Sequence, residues 1–192
     1  MVGRRCLPNK SPTLIRKHDN TQTPFHLKTF AELGLKEQIL NAITEIGYEQ
    51  PTPVQAAVIP VLLGTENADD AATPASIPTQ DIIALAQTGT GKTAAYGLPV
   101  LQNVNADDRS TQISPTRELC LQIADDLKDY SRYIDGLHVV AVYGGTGIES
   151  QIRQLRKGCQ IIVATPGRLI DLIHRGAARL EAVRHVVLDE AD

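Results

Sequence analysis

The sequence predicts an α/β domain: a parallel sheet with helices on both faces. Three observations lead there. From Asp81 onward, short apolar runs alternate with stretches whose apolar residues recur at helical spacing, the pattern of successive βαβ units. One such run, Ile82-Ile83-Ala84-Leu85, leads into the glycine-rich A-Q-T-G-T-G-K-T of residues 86–93. Another, Val186-Val187-Leu188, leads into Asp189-Glu190-Ala191-Asp192. Ligands of parallel sheets collect beyond the carboxyl ends of the strands, where both motifs fall. With 192 residues, 42% of them hydrophobic, the chain has the size of one domain and enough apolar material for a core.

The first segment is basic. Residues 1–30 hold six Lys or Arg (Arg4, Arg5, Lys10, Arg16, Lys17, Lys28) against Asp19 alone, so this segment carries +5 and the remainder −8 within a net charge of −3. Pro8, Asn9, Pro12 and the polar run Thr21 to Pro24 suit a disordered tail over residues 1–29, with an RNA-attracting arm as the alternative. Net charge therefore gives no argument for a nucleic-acid partner, which would need a local contact surface. Cys6, Cys120 and Cys159 form no C-x-x-C pair, as expected of reduced thiols in a cytosolic protein rather than a disulfide frame or a zinc site. No apolar run approaches a signal peptide or a membrane span, and the expectation is a soluble, cytoplasmic protein.

After the tail, Leu35, Ile39, Ile43 and Ile46 mark an amphipathic helix that Gly47 closes. Pro51-Thr52-Pro53 breaks the chain, Thr52 caps a second helix that runs to about Leu63, and Gln55 lies in its first turn. Residues 65–80 contain Glu66, Asp69, Asp70, Pro74 and Pro78 without an aromatic residue, and read as a mobile acidic loop. The alternation then runs strand Ile82–Leu85, helix from Lys92, short strand near Thr111–Ser114, helix from Arg117 to about Tyr130 and strand Val139–Tyr143. It continues through helix Ile148–Lys157, strand Gln160–Ala164, helix from Pro166 and strand His185–Leu188.

The two acidic and glycine-rich motifs carry specific chemistry. A glycine turn between strand and helix points backbone N–H groups at phosphate oxygens, with the helix dipole behind them. Gly89 and Gly91 allow that turn, Lys92 would reach the β- and γ-phosphates, and the Thr93 hydroxyl would hold Mg²⁺ together with Asp189. Glu190 is placed to orient or deprotonate an attacking water, which favours hydrolysis over transfer. The strict phosphate-loop pattern has glycine where this chain has Ala86. An isolated Gly-Lys-Thr is as well explained by an ordinary turn opening a helix; the conjunction with a strand ending Asp-Glu decides for nucleotide. Thr165-Pro166 and Gly144-Gly145, taken singly, fit plain capping and strand termination. Arg117 and Arg168, however, stand near helix starts, where the dipole disfavours cations unless an anion such as a backbone phosphate is near.

From about Phe30 to Asp192 the chain resembles the N-terminal, RecA-like lobe of a DEAD-box ATP-dependent RNA helicase, and among those the bacterial cold-shock and general-purpose members. The resemblance rests on Gly47-Tyr48 with Pro51-Thr52-Pro53-Val54-Gln55 (Q motif), residues 86–93 (motif I) and Pro115-Thr116-Arg117-Glu118-Leu119 (motif Ia). Gly144-Gly145, Thr165-Pro166-Gly167-Arg168 (motif Ib) and residues 189–192 (motif II) complete it. It implies an ATP and Mg²⁺ site formed by Phe30, Tyr48, Gln55, Ala86, Gln87, Thr88, Gly89, Thr90, Gly91, Lys92 and Thr93, with Lys92, Asp189 and Glu190 as the catalytic set. Gln55 would read the adenine edge, since an amide offers both a donor and an acceptor, and Phe30 would stack on the base unless it is simply a core aromatic. Single-stranded or duplex RNA is implied as partner, held through its sugar-phosphate backbone by Pro115, Thr116, Arg117, Gly144, Gly145, Thr165, Pro166, Gly167 and Arg168.

The chain also departs from that pattern. It stops at Asp192, so the second RecA-like lobe has no counterpart, and the 192 residues alone are expected to bind nucleotide without unwinding RNA. Residues 65–80 are an insertion, and the strand before Pro115 is short. Two rivals stand beside the helicase reading: a DNA helicase or other phosphate-loop ATPase, and a non-catalytic nucleotide- or RNA-binding module.

Overall fold

A computed structural model describes residues 13–15, 29–65, 82–104, 109–113 and 116–190. The first element is a strand, β1 (Thr13–Ile15), inside the segment expected to be a disordered tail. A single 3-10 turn, Ala31–Leu33, precedes helix α1 (Glu37–Glu45). α1 buries Ile39, Ala42 and Ile43, and its end closes as the spacing predicts. Gly47 takes φ +95°, its N–H reaches Thr44 O (3.0 Å), and Tyr48 N–H reaches Ile43 O (2.9 Å). Helix α2 (Pro53–Leu63) opens on a reciprocal capping box. The Thr52 hydroxyl accepts from Gln55 N–H, and the Gln55 side chain accepts from Thr52 N–H at 2.9 Å.

The remaining elements alternate as expected: β2 (Ile82–Ala84), α3 (Lys92–Asn103), β3 (Arg109–Ile113), α4 (Arg117–Tyr130), β4 (Val139–Val142), α5 (Ile148–Arg156), β5 (Ile161–Ala164), α6 (Pro166–His174) and β6 (Val183–Leu188). All described strand pairs are parallel. β4, β5, β3 and β6 form one sheet in that order. β3, short as the sequence reading has it, is nonetheless an interior strand of five residues, paired to β5 on one side and to β6 on the other.

The sheet is covered on both faces, and β5 shows how. Ile161 and Val163 point into a core shared with α1 to α4, where Ile39, Leu98, Ile123 and Leu127 are buried; Ile162 and Ala164 point into a second core with Val142, Leu169 and Leu172. Successive side chains of a strand alternate faces, so a fully buried β5 reads as an unbroken apolar run. β2 differs. It pairs with β1, Thr13 opposite Ile82, and not with the four-stranded sheet. Ile83 (45% exposed) and Leu85 (78%) on this side, and Val186 (62%) and Leu188 (61%) on β6, therefore lack the cover that their apolar character calls for.

Register places the loops. Ile113, Val142, Ala164 and Leu188 lie side by side at the carboxyl ends of β3, β4, β5 and β6, because Ala164 pairs with both Ile113 and Val142, and Ile113 pairs with Leu188. The segments that follow these four strands therefore emerge along one rim.

Candidate nucleotide and nucleic-acid site

The glycine turn at the start of α3 is held from below by α2. Gly91, the N-cap of α3, has φ +83°, and its carbonyl accepts from Gln55 Nε2 at 3.2 Å. A Cβ built on Gly91 would clash with that nitrogen, so glycine is required here both by the left-handed backbone and by the approach of Gln55. The Thr52 hydroxyl donates to Thr90 O (2.9 Å), and the Thr90 hydroxyl donates to Gln87 O (2.7 Å). Three peptide oxygens of the turn, those of Gln87, Thr90 and Gly91, are thus occupied within the protein. Gln87, Thr88 and Gly89 are exposed, while Lys92 and Thr93 are half-buried.

Beside the turn lies a cavity of about 530 Å³ lined by Gly47, Tyr48, Glu49, Gln50, Thr52, Gln55, Gly89 and Gly91. Its aromatic wall is Tyr48. The Tyr48 hydroxyl is hydrogen-bonded to that of Tyr130 at 2.9 Å, and Phe30 stacks behind Tyr48 with ring centroids 6.0 Å apart and planes inclined by 23°. Phe30 is 5% exposed and packs in the main core, so the structure places it as a support for Tyr48 rather than on the cavity wall. The Tyr130 hydroxyl is held protonated by burial first and by its bond to Tyr48 second, both of which raise its pKa.

The acidic pair closes β6. Asp189 Oδ2 accepts from the Tyr96 hydroxyl at 3.0 Å, which ties β6 to the helix that starts at Lys92. Asp189 Oδ1 accepts from the Glu190 N–H at 3.0 Å. Glu190 takes φ +51°, the one non-glycine with positive φ among the described residues, a conformation that costs about 1–3 kcal/mol and concentrates at functional turns. Neither Tyr96 nor Tyr130 stood out in the sequence, because an interior tyrosine there reads as core. The donor set suits ATP with Mg²⁺: a glycine turn presenting N–H groups, an ammonium, and a hydroxyl with one carboxylate. Mg²⁺ is commonly held by one or two carboxylates together with substrate phosphates. Among the described residues no group of three or more His, Cys, Asp and Glu stands together as an independent metal centre.

A second cluster occupies the rim formed by β3, β4 and β5. Thr116 caps α4 through its hydroxyl, which accepts from Leu119 N–H at 3.2 Å. The Arg117 guanidinium lies 5.0 Å above the Tyr143 ring and would touch a Cβ on Gly145 at 3.1 Å. Gly144 and Gly145 are exposed. Thr165, Pro166 and Gly167 open α6, and Arg168 donates from Nη1 to Gln151 Oε1 (3.0 Å) and from Nη2 to Thr146 O (3.0 Å). The structure therefore brings Thr116, Arg117, Gly144, Gly145 and residues 165–168 to one edge; Pro115 lies outside the described residues, as do the 66–81 segment and residues 191–192.

The DEAD/DEAH box helicase family matches residues 52–192. The ATP-dependent RNA helicase DeaD of Escherichia coli is 46% identical over 167 residues, 85% of this chain and 24% of that protein. The DEAD-box ATP-dependent RNA helicase CshA of Geobacillus kaustophilus is 44% identical over 169 residues, 86% of this chain and 33% of that protein. The chain thus spans about a quarter to a third of these relatives. Among solved structures, a DEAD box protein from Methanococcus jannaschii superposes with a TM-score of 0.73 at 40% identity, over 85% of this chain and 42% of that one. A protein described as a hypothetical ATP-dependent RNA helicase from Sulfolobus tokodaii gives 0.69 at 38% identity, over 82% and 42%.

Proposed function

The chain belongs to the DEAD/DEAH box helicase family, and from that premise we propose that residues 30–192 are the ATP-binding, RecA-like lobe of a cytoplasmic RNA helicase. The observation that carries this reading is the junction of α2 with the glycine turn. There a single amide, Gln55, bonds Gly91 O and lines the cavity beside Tyr48. An adenine entering the cavity would find in Gln55 a donor and an acceptor on one group, the pairing that distinguishes adenine from guanine. In the protein alone these functions are spent on Gly91 and Thr52, so nucleotide exchanges two internal hydrogen bonds for two to the base. Binding and the conformation of the glycine turn are thereby linked through the same side chain.

ATP supplies the cleavable phosphoanhydride, and Mg²⁺ neutralises charge on its phosphates. The chain's own contributions are separable. Gly89, Thr90 and Gly91 present backbone N–H groups, with Ala86, Gln87 and Thr88 forming the approach to the turn. Lys92 neutralises phosphate charge, Thr93 and Asp189 hold the metal, and Glu190 accepts a proton from the attacking water. Thr116, Arg117, Gly144, Gly145 and residues 165–168 hold single-stranded RNA by its phosphates, which carry no base code and imply weak sequence preference. The 192 residues by themselves bind nucleotide but do not unwind a duplex, since strand separation needs a second lobe that closes when both ligands are bound. RNA-stimulated ATP hydrolysis by these residues at about one turnover per second would refute that part. The reading as a non-catalytic binding module is tested by the same assay on the longest available form of the protein: turnover abolished by Glu190→Gln supports the enzyme, and absence of any turnover supports the module.

A further inference from the structure

Gln151 is one of the few buried polar residues among those described, at 4% exposure on α5, and no sequence motif singles it out. Its Nε2 donates to Tyr143 O (3.1 Å) and to the Thr146 hydroxyl (3.0 Å), and its Oε1 accepts from Arg168 Nη1 (3.0 Å). Arg168 in turn donates to Thr146 O, which closes a ring of bonds through the 143–146 loop. The Tyr143 ring carries Arg117 on its face at 5.0 Å. One amide thus ties together the two arginines and the glycine loop that follow three different strands.

We propose that Gln151 is a positioning residue for RNA binding, setting the orientation of Arg168 and of the Gly144-Gly145 loop so that both address the same strand. This rests on the reading of that rim as the RNA surface. The chemistry favours an amide over the alternatives. A carboxylate would keep Arg168 but could not donate to the Tyr143 carbonyl, and an apolar residue would remove that donor from the part-buried carbonyl and leave Arg168 with one of its two bonds. The guanidinium has five N–H donors, and the two bonds to Gln151 and Thr146 O fix its plane while others remain for a phosphate.

The test measures binding of a fluorescent oligouridine to the full chain as a function of salt, beside binding of ADP, for Gln151→Leu, Gln151→Glu and Arg168→Ala. Expected for Gln151→Leu is an RNA affinity about tenfold weaker, with a salt slope reduced by about 0.7, the share of one phosphate contact, and an unchanged ADP affinity. Gln151→Glu, which keeps the Arg168 partner, should recover most of that slope while remaining weaker than wild type. RNA binding by Gln151→Leu within twofold of wild type, while Arg168→Ala weakens it, would overturn the proposal and leave the RNA surface standing. A parallel loss of RNA and ADP binding in both Gln151 variants would overturn it in favour of a purely structural role. Indifference to Arg168→Ala would remove the RNA surface and the proposal with it.

Discussion

Gly91 and Gln55 approach each other so closely that a methyl group on the glycine cannot be accommodated without displacing the amide. Gly91→Ala is therefore expected to abolish nucleotide binding for two reasons, a strained left-handed φ worth about 1–2 kcal/mol and a misplaced Gln55. Calorimetric titration with ADP checks it; affinity within threefold of wild type would contradict the packing argument. Asp189 gives a second prediction. Tyr96→Phe removes only the hydroxyl that bonds Asp189 Oδ2, and the gain in ADP affinity on adding Mg²⁺ should fall about tenfold, the usual scale for losing a partner that orients a metal ligand. Cys120 gives a third. Burial pushes its thiol up from 9.0 to about 11, so it stays protonated and should resist alkylation near neutral pH until the chain is unfolded in urea. A folded pKa raised above the unfolded one means that this contribution is fully present below pH 9.0 and is lost as pH rises toward about 11. Denaturation midpoints across that range should fall less in Cys120→Ala.

Elements were legible where their ends are chemically marked. Thr52-Pro53 and Gly47 fix the start of α2 and the end of α1, and Thr116 caps α4, because caps and left-handed glycines act within a few residues of chain; Thr165 stands at the N-cap of α6 ahead of Pro166, but its side chain makes no capping bond there. Thr52→Ala should cost about 1 kcal/mol in urea denaturation, as for other N-caps, and loosen the turn by losing the bond to Thr90 O. Strand partnership was less legible. The apolar run before the glycine turn reads as another strand of one parallel sheet, yet β2 pairs with Thr13–Ile15 from the basic segment. Pairing is a long-range choice that periodicity does not encode, whereas the βαβ alternation does encode parallel direction. The candidate site divides the same way: Gln55, Lys92 and Asp189 stand in recognisable strings, while Tyr96 and Tyr130 matter through contacts 93 and 82 residues away in sequence and Gln151 through bonds 5 to 17 residues away.

At the scale of the whole molecule, two functional edges meet on one frame. α2 and α3 hold the cavity and the glycine turn, the ends of β3, β4 and β5 hold the arginine cluster, and β6 runs beside β3 to deliver Asp189 to Tyr96 of α3. Among the described residues, no helix is long and apolar enough to cross a membrane. The proposed nucleotide cavity and the proposed RNA rim thus lie on different elements of one frame. The reading of the cavity beside the turn as an adenine-nucleotide site recognised by Gln55 is open to direct test. The most direct measurement is a titration of the chain with ADP and with GDP, repeated for Gln55→Ala and Lys92→Ala. Preference for ADP is expected in wild type, with loss of that preference in Gln55→Ala and loss of binding to both nucleotides in Lys92→Ala. Equal affinity for ADP and GDP, or ADP binding untouched by either substitution, would contradict it.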